Sequence, residues 1–330
     1  MALPRLLLVP ITQAVVALGF AAAFCPSNVW AQPITATDSQ VELLRAELKK
    51  AESTHAGDAR IGHLWRDLGI AYESRLAEGP AEDAYVRAIP LLRSAGRDFE
   101  YADALHGLGS VYLNMEQRPE ARRCMLEALA IYEKQNDQVK AAFLHQTIGI
   151  TWMFDDKFKE AIAEFTASVA DANASPNGQP EPLLASYLLR AGAEYHTSDM
   201  THSLADIAAA RKAAAQLHLA PNSVENIAMS LAEGAALTRA GQPTQGDALI
   251  KKALDLVSTR NDLSPEMQQK TRIAVLREYG SALTAAHRKR DAKAVDAQVA
   301  VLASKLPHNC ADCTISVAAL QGTLSPQALR

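Results

Sequence analysis

The chain has 330 residues, of which 48% are hydrophobic and 21% charged, and its formal net charge is −4. This balance gives no basis for nucleic-acid binding, which requires a clear surplus of basic residues. Aromatic residues make up only 5% of the chain, and its abundant alanine suits helices that cross closely.

Residues 1–31 have the pattern of a secretory signal peptide. Arg5 precedes a mostly apolar run from Leu6 to Phe24, and the small residues Val29 and Ala31 suit cleavage after Ala31. The run is also long enough for an uncleaved membrane anchor, although the helix breakers within it favour cleavage. We therefore expect a periplasmic or secreted protein without an integral membrane span after cleavage, and a chain anchored by its leader is the alternative.

A motif of the form W-x2-L-G-x2-Y organises the chain. Its three copies begin at Trp65, Leu105 and His145, at a fixed step of 40 residues. The first, fourth, fifth and eighth positions fall on one stripe of a helix. Glycine within a helix costs ~1 kcal/mol relative to alanine, so its recurrence indicates that a second helix crosses too closely for a Cβ atom. A repeat of this length predicts a stacked array of identical units.

The second helix of each unit is visible at fixed offsets from the motif glycine. Ala121, Met125 and Ala128 follow Gly109, and the same offsets recur after the third motif copy. In these residues the chain resembles the tetratricopeptide repeat (TPR) family, which implies an all-α fold, a right-handed α-solenoid of antiparallel helix pairs. The 40-residue step is longer than the usual 34 of that family, so we expect longer helix ends and linkers. The family's usual proline after the second helix is missing.

The repeats define the predicted organisation of the mature chain. Before them lies an amphipathic capping helix, with Asp38 or Ser39 as its N-cap. A loop rich in proline and glycine separates three clear repeats from three degenerate ones. The predicted segments are a capping helix in 32–61, repeats one to three in 62–172, a loop in 173–184, repeats four to six in 185–304, and a C-terminal tail or cap in 305–330.

Cys310 and Cys313 form a C-x-x-C pair in the tail. In an exported protein the favoured interpretation is a local disulfide. A redox pair, a metal site and unpaired thiols remain as alternatives, although no second ligand pair is apparent and the preceding segments are helical rather than βαβ.

No motif indicates an enzyme or a cofactor. The histidines lie far apart in sequence, and no nucleophile elbow, phosphate-binding loop, H-E-x-x-H motif or paired carboxylates are present. We therefore expect no catalytic residues, no metal and no cofactor.

The resemblance implies that the first helix of each repeat lines a concave groove that binds a protein or peptide. An apolar patch in repeat three, at positions where a solvated face would be polar, marks a candidate binding surface. The alternative is that these side chains pack against a neighbouring helix or the tail. The candidate groove residues are Arg66, His106, Asn114, Phe143, Gln146, Ile150, Met153, Phe154, His196 and Arg277.

Two functional hypotheses follow. The first is an exported scaffold that binds a partner peptide or helix in the groove. The second is a structural module of an envelope complex that uses its convex face or its ends, with the groove occupied by the chain itself. A redox or metal role of the C-x-x-C pair is a remote third. Neither the partner nor the oligomeric state follows from the sequence.

Overall fold

The computed structural model describes residues 36–175 and 178–306. The predicted signal peptide, most of the C-terminal tail and the Cys310–Cys313 pair lie outside the described residues. Within the described part, all regular structure is helical. Its thirteen helices are α1 (Asp38–Ser53), α2 (Asp58–Glu73), α3 (Glu78–Ser94), α4 (Asp98–Asn114), α5 (Arg118–Lys134), α6 (Gln138–Phe154), α7 (Phe158–Ala174), α8 (Pro180–His196), α9 (Met200–Ala214), α10 (Val224–Arg239), α11 (Pro243–Ser258), α12 (Pro265–Ala285) and α13 (Lys289–Ala303).

The helices form two compact units. The described residues of the first unit are 36–151, 167–175 and 178–179, and those of the second are 152–166 and 180–306. In the first unit, α2 packs on α3 and α4 on α5, and α2 also contacts α4. In the second unit the packed pairs are α8 with α9, α10 with α11, and α12 with α13. The predicted helix pairs are therefore present in both units.

The 40-residue step is filled by long helices and short turns, so the expectation of longer linkers is wrong. Helices α3 to α7 have 17 residues each, and three residues separate each from the next. The linker before α8 is also shorter than the predicted 173–184 loop. Helix α7 continues to Ala174, and α8 already begins at Pro180. Proline can occupy this position because the first turn of a helix does not need its missing backbone N–H.

Each of these turns is closed by the same backbone motif. The amide of Gln117 donates to the carbonyl of Tyr112 at 2.8 Å, and the amide of Asp137 donates to that of Tyr132 at 2.9 Å. Such a bond, with a left-handed residue just before the donor, is the Schellman ending of a helix. Residues with left-handed backbone recur every 20 positions in these turns: Leu76, Gly96, Glu116, Asn136 and Asp156.

The glycine-mediated crossings predicted from the motif are confirmed. A Cβ atom on Gly109 would lie 2.8 Å from Met125 Cγ and 3.2 Å from the carbonyl oxygen of Ala121. In the second unit, a Cβ atom on Gly234 would lie 2.9 Å from Ile250 and 3.0 Å from the carbonyl oxygen of Gly246. The second helix of each pair therefore occupies the space that a side chain would need.

Helix α1 covers the exposed side of the first repeat. Its buried Val41, Leu48 and Ala51 form one cluster with Leu64 and Leu68 of α2. The N-cap is Thr37 and not Asp38 or Ser39, because the Thr37 hydroxyl accepts from the Gln40 amide at 3.2 Å. The Gln40 side chain accepts in return from the Thr37 amide at 2.7 Å, which completes a capping box.

None of the helices in residues 36–175 and 178–306 combines the length and the apolar character that crossing a bilayer requires.

Candidate binding surface

One side of α2 and α4 carries the predicted groove residues of the first two repeats. Spacings of three and four residues place them on one face of each helix. We call this surface the α2–α4 face. It consists of His63, Arg66, Ile70 and Glu73 on α2, and Asp103, His106, Ser110 and Asn114 on α4.

Ion pairs connect this face across three helices of the first unit. Arg66 Nη1 lies 3.9 Å from Asp103 Oδ2, and its guanidinium also bonds to Asp67 at 2.8 Å. Lys140 of α6 forms an ion pair with the same Asp103 carboxylate, and the Tyr132 hydroxyl donates to that carboxylate at 2.6 Å. Because Asp103 is held from three sides, the polar part of the face is fixed by the fold.

An apolar side chain stands exposed among these polar groups. Ile70 is 50% exposed, whereas the α2 residues Leu64 and Leu68 are buried. His106 and Asn114 make no hydrogen bond to the described part of the chain, so their donors and acceptors are available. Burial lowers the pKa of His106 to about 4, and the nearby Asp103 opposes that shift. The imidazole is therefore neutral at pH 7 and offers one donor and one acceptor.

Glu73, at the end of the face, is supported by a tyrosine from α3. The Tyr85 ring fills the space left by two glycines, since a Cβ atom would lie 2.6 Å from it on Gly69 and 2.3 Å from it on Gly107. Its hydroxyl donates to Glu73 Oε2 at 2.7 Å. Burial raises the pKa of Glu73 to about 7, and this hydrogen bond acts in the opposite direction. Glu73 thus changes charge near neutral pH.

The apolar patch predicted in repeat three is not an exposed surface, and this expectation is wrong. Ile150 and Met153 have exposures of 0% and 1%, and Gln146 is also buried. Phe143 and Phe154 are partly buried. The physical reason is the composition of α6, whose apolar residues are spread around the helix rather than confined to one stripe. A helix of that kind is buried rather than amphipathic.

The last two predicted residues, His196 and Arg277, also lie in the second unit. His196 is packed against Phe158, with the ring centroids 4.7 Å apart and the rings nearly parallel. Burial is the main cause that lowers the pKa of His196 to about 4, and Arg239 adds to it. Arg277 is exposed on α12. His196 therefore has a packing role, while Arg277 remains accessible.

Two other side chains of the second unit, Arg239 and Glu278, have roles that the sequence did not indicate. Arg239 donates to the Tyr195 carbonyl at 2.6 Å and to the Ser198 hydroxyl at 2.7 Å, which ties α10 to the end of α8. Glu278 is buried in α12, and neither of its carboxylate oxygens has a hydrogen-bond partner among the described residues. Glu278 lies on the same face of α12 as the buried Val275 and Ala282. The spacing therefore indicates burial, but a charged residue is not normally expected in a core.

Residues 36–175 and 178–306 contain no group of three or more His, Cys, Asp or Glu side chains placed to hold a metal ion.

Comparison with known proteins identifies the architecture. No protein-family model matches the sequence, and no curated protein sequence matches it. Among solved structures, apo RapI matches with a TM-score of 0.60 and 14% identity, over 81% of this chain and 93% of RapI. The fold is TPR-like.

Two further structures have the same architecture. A putative kinesin light chain of Podosopora anserina with nearly identical TPR-like repeats matches with a TM-score of 0.50 and 16% identity, over 62% of this chain and 97% of that one. A Rap protein complexed with competence and sporulation factor matches with a TM-score of 0.50 and 15% identity, over 88% of this chain and 82% of that one. At these identities the similarity concerns the fold alone.

Proposed function

We propose that this chain is an exported protein-interaction scaffold that binds an extended peptide or a helix of a partner on the α2–α4 face. The observation that carries the proposal is the exposed Ile70 side chain, surrounded by polar groups that ion pairs hold in place. The TPR-like fold and the Rap protein solved in complex with its factor support a binding role. We propose no enzymatic activity.

The chemistry of the face suits a peptide. Ile70 supplies an apolar contact for one side chain of the partner, because burying exposed apolar area favours association. His106 and Asn114 each have an unused donor and acceptor, which is what a peptide backbone requires. Because Arg66 and Asp103 are already paired, binding needs little reordering of the face.

A matched pair of variants tests this site. Ile70→Asp places a charge on the α2–α4 face, whereas Val86→Asp changes an aliphatic side chain on α3 with a similar exposure of 48%. The tagged chain from residue 32 onward would be purified and cross-linked to proteins of the exporting cell's envelope fraction. We expect the wild type and Val86→Asp to capture the same partner, and Ile70→Asp to lose it while its circular dichroism spectrum stays unchanged.

The second candidate is a structural module that binds through its outer helices. Leu43 on α1, Val86 on α3 and Leu126 on α5 all expose a large part of an aliphatic side chain away from the α2–α4 face. This candidate predicts the opposite result, in which Val86→Asp loses the partner and Ile70→Asp retains it. Retention by both variants would place the interaction elsewhere on the chain and refute the α2–α4 site.

Export is part of the proposal and has its own test. The pattern in residues 1–31 supports cleavage after Ala31. We expect the mature protein in the periplasmic or secreted fraction, with Gln32 as its first residue by N-terminal sequencing. An intact N-terminus in the membrane fraction would show that the leader acts as an anchor. Thiol titration of the same sample would test the Cys310–Cys313 disulfide.

A further inference from the structure

A second candidate site lies on the other side of α2. A pocket of about 530 Å³ opens between α1, α2 and α3, within the ~300–1,000 Å³ range of ligand pockets. Trp65, Leu68 and Tyr72 of α2 form its floor. At 100° per residue these three side chains point away from Ile70, so the pocket and the α2–α4 face lie on opposite sides of one helix.

Two arginines cover the aromatic floor from opposite walls. The guanidinium of Arg87, on α3, lies 4.8 Å from the centroid of the Trp65 ring. The guanidinium of Arg45, on α1, lies 5.7 Å from the Tyr72 ring centroid, and its Nε donates to the Tyr72 hydroxyl at 2.9 Å. Tryptophan, tyrosine and arginine are the residue types that contribute most binding energy at interfaces, and here they meet in a concave site.

The rim retains unused positive donors. Arg87 Nε donates to both oxygens of Asp83, at 3.1 and 3.0 Å, and this leaves its terminal Nη groups without a partner among the described residues. Lys49, one turn beyond Arg45 on α1, forms no ion pair within the described chain. Glu52 is the other acidic residue of the lining. Since Asp83 is occupied by Arg87, cationic donors outnumber free carboxylates at the rim of an otherwise acidic protein.

We propose that this pocket binds an acidic peptide segment in which carboxylate side chains flank an apolar side chain. The apolar group contacts Trp65 and Tyr72, and the flanking carboxylates pair with Lys49 on one wall and Arg87 on the other. Arginine is suited to this role, because its planar donors match a carboxylate. The site is separate from the α2–α4 face and does not depend on the function proposed for that face.

The test starts from an unbiased selection. A random nonapeptide library displayed on phage would be selected on the chain from residue 32 to 330. The consensus peptide would then be labelled with fluorescein and titrated by fluorescence anisotropy. We expect a consensus with Asp or Glu on both sides of an apolar residue, and an affinity that falls as salt rises, because the contacts are between partly exposed charges.

Charge-reversal variants locate the binding. Lys49→Glu/Arg87→Glu reverses the charge of the proposed carboxylate partner on each wall. Lys50→Glu/Arg93→Glu makes the same change in net charge at exposed positions outside the pocket lining. We expect binding at least tenfold weaker in the first pair and unchanged in the second, with equal helicity by circular dichroism. Failure to enrich any peptide, a consensus without acidic residues, equal affinity for both variants, or loss of binding in Ile70→Asp would each overturn the proposal.

Discussion

Replacing Glu278 by glutamine removes a buried charge whose cost depends on pH. The side chain has 0% exposure, and its two carboxylate oxygens have no hydrogen-bond partner among the described residues. The charge of Glu278 also affects Tyr195 of α8. Burial, together with that charge, raises the pKa of Tyr195 to about 12. Burial alone raises the pKa of Glu278 to about 8, from a usual value near 4.5.

The sign of the effect follows from proton binding. Between pH 4.5 and pH 8 the native state binds more protons at Glu278 than the unfolded state, so the free energy of unfolding falls as pH rises. The stabilising contribution is complete below pH 4.5 and is lost by pH 8. One pKa unit corresponds to about 1.4 kcal/mol, so the wild type loses roughly 3–4 kcal/mol from this group between pH 5 and pH 8.

The assay is urea unfolding followed by circular dichroism at pH 5, 6, 7 and 8. We expect Glu278→Gln to lack this loss, so its midpoint should exceed that of the wild type by an amount that grows by about 1–2 M over the range. Glu160→Gln, an exposed substitution on α7, should follow the wild type at every pH. A constant difference between Glu278→Gln and the wild type from pH 5 to pH 8 would show that the carboxyl is paired or hydrated in the native state.

Four further substitutions test the packing, the turns and the ion pairs. Gly109→Ala should destabilise the first unit by about 1–3 kcal/mol in urea unfolding, because its Cβ atom would meet Met125 and the Ala121 carbonyl. Glu116 and Gly96 both have positive φ, which glycine adopts without strain. Glu116→Gly should therefore raise the free energy of unfolding by about 1 kcal/mol, and Gly96→Ala should lower it by a similar amount. Midpoints equal to that of the wild type would argue against backbone strain at these positions. Asp103→Asn should cost about 1–3 kcal/mol, measured by thermal unfolding, because it leaves Lys140 without its carboxylate and Arg66 with Asp67 alone.

The architecture could be predicted because its cause is local and periodic. A glycine at each helix crossing, with small or bulky residues at fixed offsets, specifies where two helices approach, and Gly109 with Met125 shows that contact directly. The sixth repeat illustrates the limit of the offsets. Asp296 follows Gly280 by 16 residues, the offset at which Met125 follows Gly109, so a core position is expected there. Asp296 is exposed, and its neighbour Val295 is buried instead. A one-residue rotation of α13 is enough to keep the charge in water.

The turns could not be predicted because the usual residue is absent from most of them. Left-handed backbone normally favours glycine, and among the five turns spaced close to 20 residues apart only Gly96 meets that expectation. Leu76, Glu116 and Asp156 adopt the same conformation, since the packed helices on either side determine where the chain must reverse. Tertiary packing therefore set these positions, and no local signal marked them.

Binding surfaces were harder to predict than the fold because they depend on which helix faces stay uncovered. The apolar residues of α6 suggested a patch, yet Ile150 and Met153 are buried, and the exposed apolar side chain of the groove face is Ile70 in the first repeat. Trp65 packs against the core cluster of α1 and α2, as its motif position predicts, and its partly exposed ring also lines a pocket beneath Arg87. The motif predicts that this side chain packs on the core, but it does not show that one side of the ring stays open to solvent.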